Sequence, residues 1–256
     1  MRILGRNYSL GMSDLRTLPF WRGVFGEFIG TFFFLLSCLI GVWSPNDLVA
    51  GSLGTGLCIA VLVHMIDSVS GANINPAVSV ALLANGQISL FRCAFYILAQ
   101  IGGSVTGSGL VLLMTSGSSF NDTTVDGGVE FDSCVPKMEV GYEWQGMAYE
   151  FLFTGMLIMQ VLRCTDEARP VQNGNIALSV GLVVVVTNLC LIPITGGPIN
   201  PARITGPAIV SGQTSQLGFY LVGEFAASII TPLVYCPLLT GIPPREDKPG
   251  RGGGQG

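Results

Sequence analysis

Six stretches of the chain are apolar over a length that can cross a bilayer, near residues 20–43, 49–67, 88–114, 144–163, 175–195 and 216–240. A helix needs about 20 such residues to span the hydrocarbon core, so the pattern predicts six transmembrane helices. Two shorter apolar pieces, 76–84 and 201–210, cannot cross, and each follows an Asn-Pro dipeptide. Short apolar segments at matching places in two halves of a chain point to a membrane transport site.

The halves can be aligned. Glu27-Phe28-Ile29-Gly30-Thr31 opens the first span and Glu150-Phe151-Leu152-Phe153-Thr154 the fourth. Asn75-Pro76-Ala77 lies 48 residues after Glu27, and Asn200-Pro201-Ala202 lies 50 after Glu150. Ala99-Gln100 and Gly223-Glu224 continue the match, giving a tandem repeat of about 124 residues. Each copy holds three spans, an odd number, so the copies face the membrane in opposite directions. The expected fold class is an all-α membrane protein with six transmembrane helices, two re-entrant half-helices and an inverted tandem repeat. The expected organisation is an N-terminal tail over 1–18, a first repeat over 19–114 and a connecting loop over 115–143. A second repeat over 144–240 and a Gly- and Pro-rich tail over 241–256, read as disordered, complete the chain.

Composition agrees. Of 256 residues, 49% are apolar and 11% charged, and the mean hydropathy is +0.59. Soluble domains carry about a quarter charged residues, so an ordinary soluble enzyme, a disordered chain and a nucleic-acid binder are excluded. With six spans both termini share a side, and Arg2, Arg6, Arg16, Arg22, Arg92, Arg163, Arg169, Arg245, Lys248 and Arg251 lie there with them. Only Lys137 and Arg203 lie elsewhere. The positive-inside rule then places both termini in the cytoplasm and the acidic segment 115–143 outside. We expect a multi-pass plasma-membrane protein, with the sequon Asn121-Asp122-Thr123 as an N-glycosylation acceptor. The sequon Asn7-Tyr8-Ser9 falls on the wrong side and reads as chance. The first apolar stretch has full spanning length and no small-residue cleavage site, so no cleaved signal peptide is expected. Seven cysteines, Cys134 among them, show no CxxC spacing, and His64 is the sole histidine. Neither a metal site nor a cofactor is expected.

The two Asn-Pro-Ala triplets carry the chemistry. Asn is a preferred N-cap whose side-chain oxygen accepts a backbone N–H of the first turn, and Pro suits the first helical position. The Asn amide is then left to donate outward. A half-helix of about nine residues is ~14 Å long, so two entering from opposite faces meet near the middle of a ~30 Å core. Two positive dipole ends and two amide donors hold a water oxygen or hydroxyl and oppose cations. Water oriented there also interrupts a proton-conducting chain. Arg203 stands at the third helical position, against the dipole and at membrane depth, which requires a hydrated or paired setting. It faces a water-filled cavity or snorkels to the outer interface.

These residues resemble the two signature loops of the aquaporin, or major intrinsic protein, family: Ser70-Gly71-Ala72-Asn73-Ile74-Asn75-Pro76-Ala77-Val78 and Gly196-Gly197-Pro198-Ile199-Asn200-Pro201-Ala202-Arg203. The resemblance covers about residues 19–240. It implies six tilted helices, two re-entrant half-helices and a pore in each protomer of a homotetramer. It also implies that Arg203 closes the narrowest ring of the pore with Thr55, Asn188 and Gly197, unless a one-residue misalignment turns Thr55 or Asn188 elsewhere. Water-selective members usually carry Phe, His and a small residue beside the Arg; this chain has neither the aromatic wall nor the histidine. Glycerol channels usually keep aromatics and an Asp after the Arg, where this chain has Ile204. A wider, still polar ring is expected. Asn73 stands where the family often has a His linked with pH sensitivity, so that sensitivity should be absent. Gly197 stands where some members have a cysteine, so mercury block through that site is not expected.

Glu27 and Glu150 lie inside apolar spans. Buried carboxylates there suit accepting backbone N–H groups of the two non-helical loops; a proton relay is the alternative, and no second titratable group follows to extend one. Gln100 and Glu224 read as helix–helix contacts. His64, about 180° round its helix from Thr55, reads as facing away from the pore in a helix contact. Gly26/Gly30 and Gly103/Gly107 have the spacing of close helix crossings.

The sequence therefore predicts a passive channel in the lipid bilayer, not an enzyme, for water and small neutral solutes such as glycerol and urea, excluding protons and ions. A strictly water-selective channel, an inverted-repeat secondary transporter and a scaffolding protein with a vestigial pore are the alternatives. Intact Asn75, Asn200 and Arg203 speak against the last.

Overall fold

The computed structural model describes residues 2–3, 6–40, 47–115, 135–166, 175–235 and 237–238. Its main elements are eight helices: α1 (Leu18–Ile40), α2 (Leu48–Ser70), α3 (Pro76–Ala84), α4 (Leu90–Thr115), α5 (Glu143–Cys164), α6 (Ile176–Thr195), α7 (Pro201–Ser211) and α8 (Leu217–Tyr235). Six are long and apolar enough to span a membrane, and α3 and α7 are the two half-helices. Near the N-terminus Arg2–Ile3 pairs antiparallel with Arg6–Asn7, and Asp14–Arg16 forms one 3-10 turn.

The packing shows the internal symmetry. α1 lies on α4 as α5 lies on α8, and α1 meets α2 as α5 meets α6. Each half-helix packs against the last helix of the other repeat, α7 on α4 and α3 on α8, while α2 and α6 pack together between the repeats. The crossings are close because small residues stand at them. A Cβ on Gly56 would lie 2.5 Å from the Gly181 carbonyl oxygen, and one on Gly181 as close to the Gly56 oxygen. Gly103 and Gly107 press α4 onto the Phe28 and Phe32 carbonyls of α1. Gly30 admits Ile66 and Ile74, whereas a Cβ on Gly26 would make only ordinary contact with Ser70.

The distribution of polarity is that of a chain in lipid. Phe25, Val61, Leu98, Leu113, Leu152 and Val222 are exposed, while Glu27, Gln100, Glu150 and Glu224 are fully buried. The N-terminal segment closes one end of the first repeat. The carbonyls of Ser9 and Leu10 accept from the N–H groups of Leu90 and Phe91, both at 3.1 Å, which supplies partners to the opening turn of α4. Asp14 approaches Arg92 at 3.9 Å.

Two expectations are corrected. His64 is exposed rather than in a helix contact, because the face of α2 opposite Thr55 is the outside of the chain. Glu224 holds a loop N–H instead of bridging helices, as described below. Asn121, Cys134 and the tail 241–256 lie outside the described residues.

Candidate functional site

The site begins where α2 and α6 stop. Each helix ends at a left-handed glycine, Gly71 (φ 86°) and Gly196 (φ 76°), a conformation that costs other residues a Cβ clash. Four residues later come the two Asn caps. Between them the backbone is unusual in the same way twice. Ala72 (φ 50°) and Ile74 (φ 52°) precede Asn75, and Gly197 (φ 59°) and Ile199 (φ 41°) occupy the equivalent places before Asn200. For a β-branched residue this is an outlier, costing of order 1–3 kcal/mol, and it persists only where neighbours impose it.

The neighbours are the buried acids. Glu27 accepts the N–H of Asn73 at 2.9 Å and of Ile74 at 2.7 Å. Gln100 donates to Glu27 at 2.7 Å and to Ser79 at 3.0 Å, joining α4 to α1 and α3. In the second repeat Glu150 accepts the N–H of Ile199 at 3.1 Å and the hydroxyl of Thr195. Glu224 accepts the N–H of Asn200 at 2.8 Å. The difference between repeats has a covalent origin: the counterpart of Asn73 is Pro198, which has no N–H to satisfy, so one oxygen of Glu150 takes a hydroxyl instead.

The half-helices start as local chemistry dictates. Asn75 caps α3 by accepting from Ala77 N at 2.8 Å, Asn200 caps α7 by accepting from Ala202 N at 2.9 Å, and a proline follows each. The two tips meet. Asn75 Nδ2 donates to the Ile199 carbonyl at 2.9 Å, and Asn200 Nδ2 donates to the Ile74 carbonyl at 3.0 Å. Each amide therefore uses one of its two hydrogens across the repeat boundary and keeps one to donate outward. The left-handed turns at Ile74 and Ile199 thus lie at the carbonyls that receive these bonds.

A cavity of about 710 Å³ passes this junction. Asp47 lines it near one end of α2 and Asp67 near the other, and twenty residues of helix between them measure ~30 Å, the thickness of a hydrocarbon core. Asn75, Asn200, Thr55, Asn188, Gly197 and Arg203 all line it. Arg203 is the third residue of α7 and only 7% exposed, so it faces this cavity rather than the outer interface. Thr55 donates its hydroxyl to the Gly51 carbonyl at 2.9 Å and turns an acceptor to the passage. Asn188 is 3% exposed, and its Oδ1 has no partner among the described residues. A Cβ on Gly197 would lie 3.2 Å from that oxygen, so the glycine leaves Asn188 its place. Asn73 binds Ser79 at 3.1 Å and also lines the cavity.

Cys38 of α1 is a lining residue that sequence reasoning missed. Its thiol adjoins Thr55 and Arg203. It lies in an apolar run with no motif beside it, and the register of α1 against Thr55 carries the information. No group of three or more His, Cys, Asp or Glu suited to a metal occurs among the described residues.

Residues 14–235 match the model of the family described as Major intrinsic protein. Aquaporin-4 of Mus musculus is 33% identical over 236 residues, covering 86% of this chain and 69% of that protein. The lens fiber major intrinsic protein of Homo sapiens is 32% identical over 232 residues, covering 89% and 85%. Among solved structures, the X-ray structure of the aquaglyceroporin from Plasmodium falciparum superposes with a TM-score of 0.73 at 23% identity, covering 86% of this chain and 98% of the other. That likeness is one of fold.

Proposed function

The chain belongs to the major intrinsic protein family, a family of passive membrane channels rather than enzymes, and from that premise we propose that it conducts water and small neutral solutes while excluding protons and ions. The carrying observation is the cavity that runs the length of α2 and passes both Asn caps and Arg203. A permeating oxygen between the caps accepts the remaining N–H of Asn75 and of Asn200, so its own hydrogens point away along the passage and a proton relay is broken there. The facing helix N-termini and the Arg203 charge oppose cations. Thr55, Asn188, Gly197 and Arg203 form the selectivity ring, in which the absence of an aromatic side chain leaves room for molecules larger than water. Glu27 and Glu150 act structurally, by holding the loops.

The remaining assignments rest on charge and resemblance. The termini are cytoplasmic, the connecting segment 115–143 is extracellular with Asn121 glycosylated, the membrane is the plasma membrane, and the assembly is a homotetramer. The two repeats, 19–114 and 144–240, are the structural units.

Stopped-flow measurement on proteoliposomes tests the reading with water, glycerol and urea. Fast water flow with glycerol or urea entry above empty vesicles is expected, rising linearly with the gradient. Water flow equal to that of empty vesicles overturns the channel; solute entry at the empty-vesicle rate leaves a strictly water-selective one. Saturable flux identifies a transporter. A Thr55→Phe, Asn188→His double variant should reduce solute flux more than water flux.

A further inference from the structure

The first two turns of α1 carry one exposed face of mixed character. Leu18, Trp21, Arg22 and Phe25 stand at i, i+3, i+4 and i+7, and all four are exposed. Three of them suit the edge of a hydrocarbon core. Arg22 lies one turn inside a spanning helix, where a charge has to reach back to the headgroup level. Trp21 brings a second arginine to this face. Its indole N–H donates to the Leu15 carbonyl at 2.9 Å, which ties the turn ending at Arg16 against α1. Arg16 is exposed as well.

The nearby acid serves neither arginine. Asp14 is approached by Arg92 at 3.9 Å and accepts the Ser89 hydroxyl at 3.2 Å. Arg92 in turn donates to Tyr96 at 3.0 Å and lies over the rings of Phe20 and Tyr96. Arg16 and Arg22 have no acidic partner among the described residues. Leu10 and Met12 precede the spanning stretch, yet both are exposed, and the Leu10 carbonyl is fixed to the opening turn of α4. Exposed apolar groups at the level where two spans begin, with arginines beside them, fit the boundary between headgroups and acyl chains.

We propose that Arg16 and Arg22, gathered by Trp21, bind the headgroup phosphate of an anionic phospholipid whose acyl chains lie along Leu18 and Phe25. Guanidinium groups match phosphate oxygens in paired, charge-assisted hydrogen bonds, and an indole beside them suits the interface. A free phosphate would use the arginines and leave the apolar pair uncovered, so the occupant is a lipid. With the termini cytoplasmic, as read above, the site faces the inner leaflet, where anionic lipids are concentrated.

Tryptophan quenching in vesicles tests this with the full chain. Trp43→Phe and Trp144→Phe leave Trp21 as the one indole. Quenching by brominated phosphatidylglycerol is compared with quenching by brominated phosphatidylcholine at equal mole fraction. The anionic lipid is expected to bind at Trp21 about fivefold more tightly, the worth of one arginine near a charged surface. In Arg16→Gln, Arg22→Gln the ratio is expected to fall to about one, while phosphatidylcholine still quenches and so reports an inserted chain. Arg245→Gln, Arg251→Gln removes the same charge elsewhere and is expected to keep the preference. A ratio near one in the chain with both arginines overturns the proposal. So does a preference that survives the first pair of changes, or one that the second pair abolishes. Quenching by neither lipid also overturns it, and points to a second copy of the chain covering this face.

Discussion

Glu150 and Glu224 hold adjacent links of one loop: the first accepts the N–H of Ile199 and the second that of Asn200. In the other repeat Glu27 holds the N–H groups of Asn73 and Ile74 by itself, and Gln100 stands where the second repeat has Glu224.

Removing Glu27 should therefore be severe. Glu27→Leu strands two buried N–H groups, each worth about 1–3 kcal/mol, beneath a loop that already holds Ile74 at φ 52°. Thermal unfolding in detergent is expected to show a midpoint lower by roughly 10 °C. Glu224→Gln keeps a carbonyl oxygen for Asn200 and should cost less than about 1.5 kcal/mol. Equal losses in the two variants would contradict the division of labour described.

How far the chain could be read from its letters follows the range of each interaction. The spans, the repeat and both helix caps were legible, because periodicity and capping are local. The helices α1 and α8 are described to Ile40 and Tyr235, and the expected limits of 43 and 240 lie outside the described residues. The lining positions Thr55 and Asn188 came from the resemblance and its spacing. Glu224 was misread because its partner lies 24 residues away in a loop whose left-handed turns no pattern announces. Pro198 was the available clue, since its missing N–H changes what the acids must satisfy. His64 was placed on the correct side of α2, yet its neighbours depended on where the chain ends laterally.

The cross-repeat amide bonds can be examined with Asn200→Asp. The carboxylate still caps α7 but no longer donates to Ile74, and it brings a negative charge to the meeting point of the half-helices. Loss of one hydrogen bond costs about 0.5–1.5 kcal/mol. Planar-bilayer recordings are expected to show cation current absent from the unaltered channel; silent bilayers would argue against a role for this point in excluding ions.

Arg203→Val should weaken exclusion in the ring proposed above. A fixed charge about 4 Å from a permeating cation raises its energy by ~4 kcal/mol at an effective dielectric of 20. Dissipation of a pH gradient across vesicles, followed with a trapped dye, is expected to quicken severalfold. Unchanged dissipation would move proton exclusion entirely to the Asn caps.

Helix contacts offer a stability pair. A Cβ on Gly206 of α7 would fall 2.7 Å from backbone atoms of Ser104 in α4, so Gly206→Ala is expected to cost about 1–3 kcal/mol by overpacking. Gly109, in the C-terminal third of α4, has nothing within 4 Å of that position, and Gly109→Ala is expected to gain about 0.5–1 kcal/mol. A denaturation midpoint that does not fall in Gly206→Ala would show that this seam is not tightly packed.

The reciprocal donation between Asn75 and Asn200 also sets an order of events during synthesis. When the ribosome has released only the first repeat, Asn75 has no Ile199 carbonyl to bind and α3 has no α8 to rest on. The loop of the early half stays unlatched until the late half arrives. The passage is thus completed only once the second repeat is in place, and a nascent chain truncated between the repeats contains every residue of one signature loop yet no finished pore.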